Sequence, residues 1–460
     1  MADPAASAER RISLHGQWSS RLAFVLAVSG SAVGLGNIWK FPYVAGQNGG
    51  GAFVLVYLLC VFGIGLPIMM AEILLGRRGR RNPVTTMGLL GREEGGSRQW
   101  RLVGLMGMLC GFLILSFYSV IAGWTLHYTV LAASDAFTGL SADGLGDLFS
   151  ALVSNPVTLI LWHTVFLIIT TIVVARGVEE GLERAVRVMV PALILILLAL
   201  LAYSISFGGF QAGLEFLFRP NFSALTGAGV LAAMGQAFFS LSVGMGAVMA
   251  YGAYLPQEES IIKTSVAVVS ADTAIALLAG MVIFPIVFAN GLDPAEGPGL
   301  VFQTLPLALA QMPGGILVGT AFFILLAFAG LTSAISLMEP VVAWLVEGFS
   351  IRRSVAAMLA GAVTWALGLM TVFSFNLAAD WQFLRGTLFD NIDYLTSNIL
   401  LPAGGFLITI FAGWIMCANS SADELDEAAG PAYQLWRFLA RYVAPVAVLL
   451  VFLNAVGALD

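Results

Sequence analysis

The chain has 460 residues, 59% of them hydrophobic and only 10% charged, whereas a soluble domain carries about 25% charged residues. The apolar residues fall in runs of about 20 or more, long enough to cross roughly 30 Å of hydrocarbon as helix, and the alternating ten-residue segments of an outer-membrane barrel are absent. The formal net charge of −6 says little about partners, because the positive charge gathers at one membrane face, and no nucleic-acid partner is expected.

The sequence therefore predicts an all-α polytopic membrane protein, since helices satisfy their own backbone polar groups in lipid. Eleven transmembrane helices are expected, near 22–46, 51–75, 102–134, 156–175, 188–206, 228–255, 262–290, 315–346, 354–375, 394–417 and 438–457. The runs at 102–134 and 315–346 exceed what a bilayer needs, which predicts tilt or protrusion. Residues 1–17 are polar and lack an apolar core, so no cleavable signal peptide is expected. With the N-terminus inside, every basic residue except Lys40, Arg219 and Arg385 falls on the inner side, a strong positive-inside bias. The expected location is a cell (inner) membrane, multi-pass, with the N-terminus cytoplasmic and the C-terminus outside. Cys60, Cys110 and Cys417 all fall within predicted spans, so no structural disulfide is expected.

Span one is interrupted by Gly30-Ser31-Ala32-Val33-Gly34-Leu35-Gly36-Asn37 and span six by Ser240-Leu241-Ser242-Val243-Gly244-Met245-Gly246. Val33-Gly34-Leu35-Gly36 and Val243-Gly244-Met245-Gly246 differ only in Leu against Met. The two segments lie five spans apart, so the second copy must be inverted. Glycine-interrupted spans at matching positions of two halves point to a transporter binding site. The expected organisation is a cytoplasmic segment 1–21, a first inverted five-helix repeat 22–206, an outer loop 207–227, a second repeat 228–417, and a cytoplasmic loop with the last helix 418–460, helices 1 and 6 being broken.

Ionisable residues inside a membrane are costly and mark function. Span two carries Glu72, span seven Asp272 and span eight Glu339, with Lys40 and Asp393 near outer helix ends. Asn37, Ser240, Ser242, Thr332 and Ser333 add neutral oxygen ligands. A broken helix frees carbonyls at one end and N–H groups at the other. Carbonyls, hydroxyls and a carboxylate suit a hard cation such as sodium, and free N–H groups suit a substrate carboxylate. Asp272 is the most informative of these, because a carboxylate in mid-span either takes a proton or finds a cation.

The stretch from Arg21-Leu22 through Gly34-Leu35-Gly36-Asn37-Ile38-Trp39-Lys40-Phe41-Pro42-Tyr43 and Asn48-Gly49-Gly50-Gly51-Ala52-Phe53 resembles the first span of the neurotransmitter:sodium symporters, bacterial amino-acid branch, with the leucine-transporter type of fold. The resemblance continues through Gly65-Leu66-Pro67, Glu72, Trp124, Gln236-Ala237-Phe238-Phe239-Ser240-Leu241-Ser242, Gly330-Leu331-Thr332-Ser333 and Asp393-Tyr394. It implies two sodium ions. The first would be held by the Ala32 carbonyl, Asn37, Ser240, Asp272 and the substrate carboxylate. The second would take the carbonyls of Gly30, Val33 and Ala329 and the hydroxyls of Thr332 and Ser333. The substrate would lie against Ala32, Gly34, Gly36, Ile114, Tyr118, Phe239, Ser240, Ser242, Met245, Ser336 and Leu337. Lys40 and Asp393 would pair as the outer gate with Phe239 as a lid, Trp18 and Glu347 would belong to the inner gate, and Glu72 would accept N–H groups of the broken segments of spans one and six. Gly181 and Pro191, with nine residues between them, resemble a family motif associated with unwinding at the inner end of span five.

Three departures stand out. The family's outer-gate arginine is Lys40 here. The inner-gate arginine three residues before the tryptophan is His15, with Arg10 and Arg11 as alternative partners for Glu347. Relatives that need chloride carry a neutral residue where Asp272 stands, so no chloride requirement is expected. Gly144-Leu145-Gly146-Asp147 matches the GxGD pattern of intramembrane aspartyl proteases but falls in a polar outer loop, so an enzyme is not expected. The sequence predicts a sodium-coupled symporter importing a neutral, hydrophobic or aromatic L-amino acid by alternating access. A proton-coupled carrier of the same fold is the alternative.

Overall fold

Runs rich in Leu, Val, Ile and Ala close their own backbone hydrogen bonds, and the computed structural model is built of helices joined by turns and loops among its described residues, 11–206, 209–294, 300–425 and 430–458. Arg10 lies outside them. The first span is two helices, α1 (Arg21–Ala32) and α2 (Gly36–Gln47), meeting at an angle of 53°. Ser20 starts α1 by accepting from Ala23 N, the usual work of an N-cap serine. Then come α3 (Gly51–Gly79), α4 (Arg98–Ala133), α5 (Pro156–Ala175) and α6 (Val178–Ile205). The sixth span is also broken, into α7 (Gly227–Ser240) and α8 (Ala247–Gly252). It is followed by α9 (Ile261–Ala289), α10 (Gly315–Phe349), α11 (Arg353–Ser374), α12 (Leu388–Ile415) and α13 (Pro431–Ala455).

Among the described residues nine helices are long and apolar enough to cross a membrane, and the bent pair brings the number to ten. The expected eleventh is the α7–α8 span, whose pieces of 14 and 6 residues do not qualify singly. Between them Ser242, Gly244 and Gly246 hold left-handed backbone, at φ 52°, 89° and 75°, which ends helical hydrogen bonding and exposes N–H and C=O groups to side chains. The two long helices, α4 and α10, pack against each other more extensively than any other pair. The broken helices lie beside them, with α1 against α9 and α10 and α8 against α3.

Several span ends differ from expectation. α6 starts at Val178, not near 188, on a π-helical turn that carries Gly181 and follows Gly177 at φ 93°. Pro191 lies inside α6 without ending it. α13 starts at Pro431, before the expected 438. α12 ends at Ile415, so Cys417, expected within a span, is exposed beyond it. Arg184 and Arg187 lie inside the first of these helices and Gln434 and Arg437 inside the second, where hydropathy alone gives no boundary.

Candidate functional site

The break between α1 and α2 places Asn37 on the first turn of α2, facing α7 and α9. Its Nδ2 donates to Asp272 Oδ1 at 2.8 Å, to the Asp272 carbonyl at 3.2 Å and to Ser240 Oγ at 3.0 Å. Ser240 Oγ donates to Asp272 Oδ2 at 2.6 Å. Asn37 Oδ1 accepts from Gly34 N at 3.2 Å, which ties the cluster to the unwound backbone. All three side chains are buried. A carboxylate, a carboxamide and a hydroxyl thus converge beside free main chain, a donor set that suits a hard monovalent cation. Tyr57, unassigned from the sequence, donates to Ser240 Oγ at 3.3 Å.

A second set forms where α10 meets α1. Gly30 lies so close to α10 and α6 that a Cβ there would come within 3.4 Å of Thr332 Cβ and 2.9 Å of Val190 Cγ2. Thr332 Oγ1 bonds back to the carbonyls of Phe328 and Ala329, both at 3.1 Å. Ser333 Oγ instead crosses to the Ser31 carbonyl at 3.1 Å. That carbonyl also accepts from Ser242 Oγ at 3.2 Å, and Ser31 Oγ donates to Ser336 Oγ at 2.7 Å. Ser31 therefore joins α1 to the unwound stretch and to α10. Ser31 stands within the glycine cluster of span one, where nothing in its spacing says which way it faces.

Between the two sets lies a cavity of about 30 Å³. The backbone of Ala32, Gly34 and Gly36 forms one wall, and Ile114 and Tyr118 of α4 another. Phe239, Ser242, Met245, Ser333 and Leu337 complete it. Of the residues expected around a substrate, Ser240 and Ser336 are not in this lining: Ser240 faces Asp272 and Ser336 faces Ser31. Tyr118 OH accepts from Leu35 N at 3.4 Å.

Residues 15–139 and 150–459 match the model of the sodium:neurotransmitter symporter family. The chain belongs to that family. It is 39% identical to the uncharacterized sodium-dependent transporter YhdH of Bacillus subtilis, over 96% of this chain and 98% of that one. A sodium-dependent transporter of Haemophilus influenzae is 32% identical over 95% of the chain and 97% of its own length. The crystal structure of MhsT in complex with L-phenylalanine superposes with a TM-score of 0.88 at 43% identity, covering 96% of this chain and 99% of that one. The protein is thus a sodium-dependent membrane transporter and not an enzyme.

Around this symporter's pocket the other expected residues are placed as follows. Glu72, fully buried in α3, accepts from Gly244 N at 2.5 Å and Met249 N at 3.2 Å. Both donors belong to the sixth span; the expected bond to the first span is not among them. The outer pair is not an ion pair here: Lys40 Nζ lies 4.0 Å from the centre of the Phe239 ring, while Asp393 Oδ1 accepts from Ser397 Oγ at 2.9 Å. At the end expected to face inward Trp18 is buried, donating through Nε1 to the Tyr251 carbonyl at 3.2 Å and through its backbone to the Tyr254 carbonyl at 3.0 Å. His15 Nε2 meets Glu347 Oε1 at 3.0 Å, while Arg11 pairs with Glu93; Arg10 lies outside the described residues. Glu347 is further held by Asn82 N at 2.8 Å and Asn82 Nδ2 at 2.6 Å.

One inner cluster escaped sequence reasoning. Glu339 pairs with Arg353 across the α10–α11 turn, accepts from Tyr254 OH at 2.8 Å, and Arg353 Nε caps the Val174 carbonyl at 2.9 Å. Glu339 was visible as a buried acid; its partner was not, because Arg353 reads as an ordinary positive-inside residue.

Proposed function

We propose that this symporter imports a neutral L-amino acid with a large apolar side chain, aliphatic or aromatic, together with sodium. The observation that carries the reading is at Gly34. A Cβ there would lie 2.5 Å from Ser333 Oγ and 3.0 Å from Tyr118 OH, so a side chain would displace the polar groups that, with the half-helix amides, can receive a substrate carboxylate. The rest of the lining, Ile114, Phe239, Met245 and Leu337, offers no charge to neutralise an ionised side chain, whose desolvation would go unrepaid. The bound L-phenylalanine in the similar MhsT supports the same class.

Two sodium ions fit the two oxygen sets. Asn37, Ser240, Asp272 and the Ala32 carbonyl take the first, and Gly30, Val33, Ala329, Thr332 and Ser333 the second. Chloride is not required, because Asp272 supplies a fixed negative charge. Spans 22–206 and 228–417 act as inverted repeats moving about the pocket, with Lys40, Phe239 and Asp393 gating outside and Trp18, His15 and Glu347 inside. The Gly181–Pro191 stretch gives way as the inner side opens. The basic-residue asymmetry supports a cytoplasmic N-terminus, an outer C-terminus and the inner membrane. Competition tests the substrate class: leucine, phenylalanine and tryptophan should displace a bound neutral amino acid, and equal displacement by glutamate, lysine or tyramine would refute the pocket assignment.

A further inference from the structure

Four glycines of α4 share its buried side but not its reason for being glycine. A Cβ on Gly104 would lie 2.3 Å from the Pro83 carbonyl oxygen, and one on Gly123 would lie 3.0 Å from His163 N. Those two are required by close packing. Gly107 faces the unwound stretch, where a Cβ would sit 3.3 Å from the Gly244 carbonyl oxygen and 3.4 Å from Gly246 N, so it lets that backbone lie on α4. Gly111 is different. A Cβ there would meet Leu337 Cδ2 at 3.5 Å, Met245 O at 3.5 Å and Met245 Cβ at 3.7 Å, all ordinary contacts. Packing does not demand glycine at 111, and glycine is the poorest helix former after proline.

Gly111 stands one helical turn from Ile114 and two from Tyr118, on the same face of α4. Its two side-chain neighbours, Met245 and Leu337, are themselves lining residues of the pocket. Met245 sits between Gly244 and Gly246, both in left-handed backbone, so its main chain can pivot while its flexible side chain repacks. We propose that Gly111 is the size determinant of the substrate pocket: the missing side chain leaves the space between Met245 and Leu337 into which a large ring extends. This rests on the amino-acid reading above, and it names a residue outside the expected lining.

The test is the ratio of KM for tryptophan to KM for valine, measured in proteoliposomes for the wild type, Gly111→Ala and Gly63→Ala. Gly63 lies on α3 with nothing within 4 Å of an added Cβ, so it controls for the change in helix propensity. A methyl group in such a pocket shifts discrimination by about ten- to 200-fold. Gly111→Ala should raise the ratio by about tenfold or more and Gly63→Ala should leave it unchanged. Adding Leu337→Val to Gly111→Ala should bring the ratio back toward wild type. If Gly111→Ala does not reach the membrane, Leu337→Val alone, which widens the same gap from the other side, should lower the ratio. An unchanged ratio in whichever of these variants is recovered, or an equal loss for both substrates, overturns the role of Gly111. Wild-type protein that takes up no neutral amino acid overturns the underlying reading instead, and is distinguishable because no ratio exists to compare.

Discussion

Asp272 is buried in mid-membrane with one hydrogen-bond donor on each carboxylate oxygen, Asn37 Nδ2 and Ser240 Oγ. Two neutral donors leave its charge without a counter-charge, and that is the electrostatic case for a cation beside it. Hydrogen bonds to a charged group contribute about 1.5–3 kcal/mol, so Asp272→Asn should weaken sodium binding by about ten- to hundredfold. The variant should also gain a partial recovery in high chloride, measured as uptake with chloride exchanged for gluconate. Full activity in gluconate would show that Asp272 does not carry the charge.

At the end expected to face inward His15 meets the Glu347 carboxylate at 3.0 Å and the Tyr254 ring, whose centre is 5.8 Å away, and Asn82 holds the same carboxylate. The contact has little exposure to solvent, so each group depends on the other for a hydrogen bond that water cannot replace. His15→Arg, which can bind the carboxylate bidentately, should tighten this contact and lower turnover, measured as initial uptake rates at equal amounts in the membrane. Unchanged turnover in His15→Arg would contradict a gating role for the pairing. Asp272, Asn37 and Ser240 were legible in the sequence, since a mid-span acid leaves few alternatives. The His15 pairing was not, because one histidine in a polar segment carries no direction.

The unwound stretch between α7 and α8 depends on another element for its hydrogen bonds. Glu72 of α3 takes the N–H groups of Gly244 and Met249, and Gln236 Nε2 donates to the Gly36 carbonyl at 2.8 Å, linking the two broken spans. Glu72→Gln presents an amide N–H toward one of those backbone donors, and an unsatisfied buried group costs about 1–3 kcal/mol. The variant should insert normally yet transport about tenfold or more slowly, checked by initial rates at equal amounts in the membrane. Unimpaired transport would mean that the loop holds its shape without this carboxylate. Glycine spacing made both breaks legible. It did not reveal that, among the described residues, Glu72 accepts from the sixth span and not the first, nor where α6 begins, since Arg184 and Arg187 sit within the helix and obscure its apolar boundary.

For the molecule as a whole, the broken first and sixth spans bring interrupted backbone to a single pocket. A symporter of this build spends the sodium gradient and the membrane potential together, each inward charge contributing about 2.3 kcal/mol per 100 mV. With the neutral amino acid proposed above and sodium as cargo, transport should carry net positive charge inward. The all-helical membrane fold was legible because hydropathy and the repeated Val-Gly-x-Gly both point to it. Pocket size was not, since it depends on how closely α4 and α10 approach the unwound stretch. Purified protein in liposomes, supplied with labelled leucine or tryptophan, should accumulate it under an inward sodium gradient and faster when the interior is made negative. Equal accumulation with potassium in place of sodium would contradict the account.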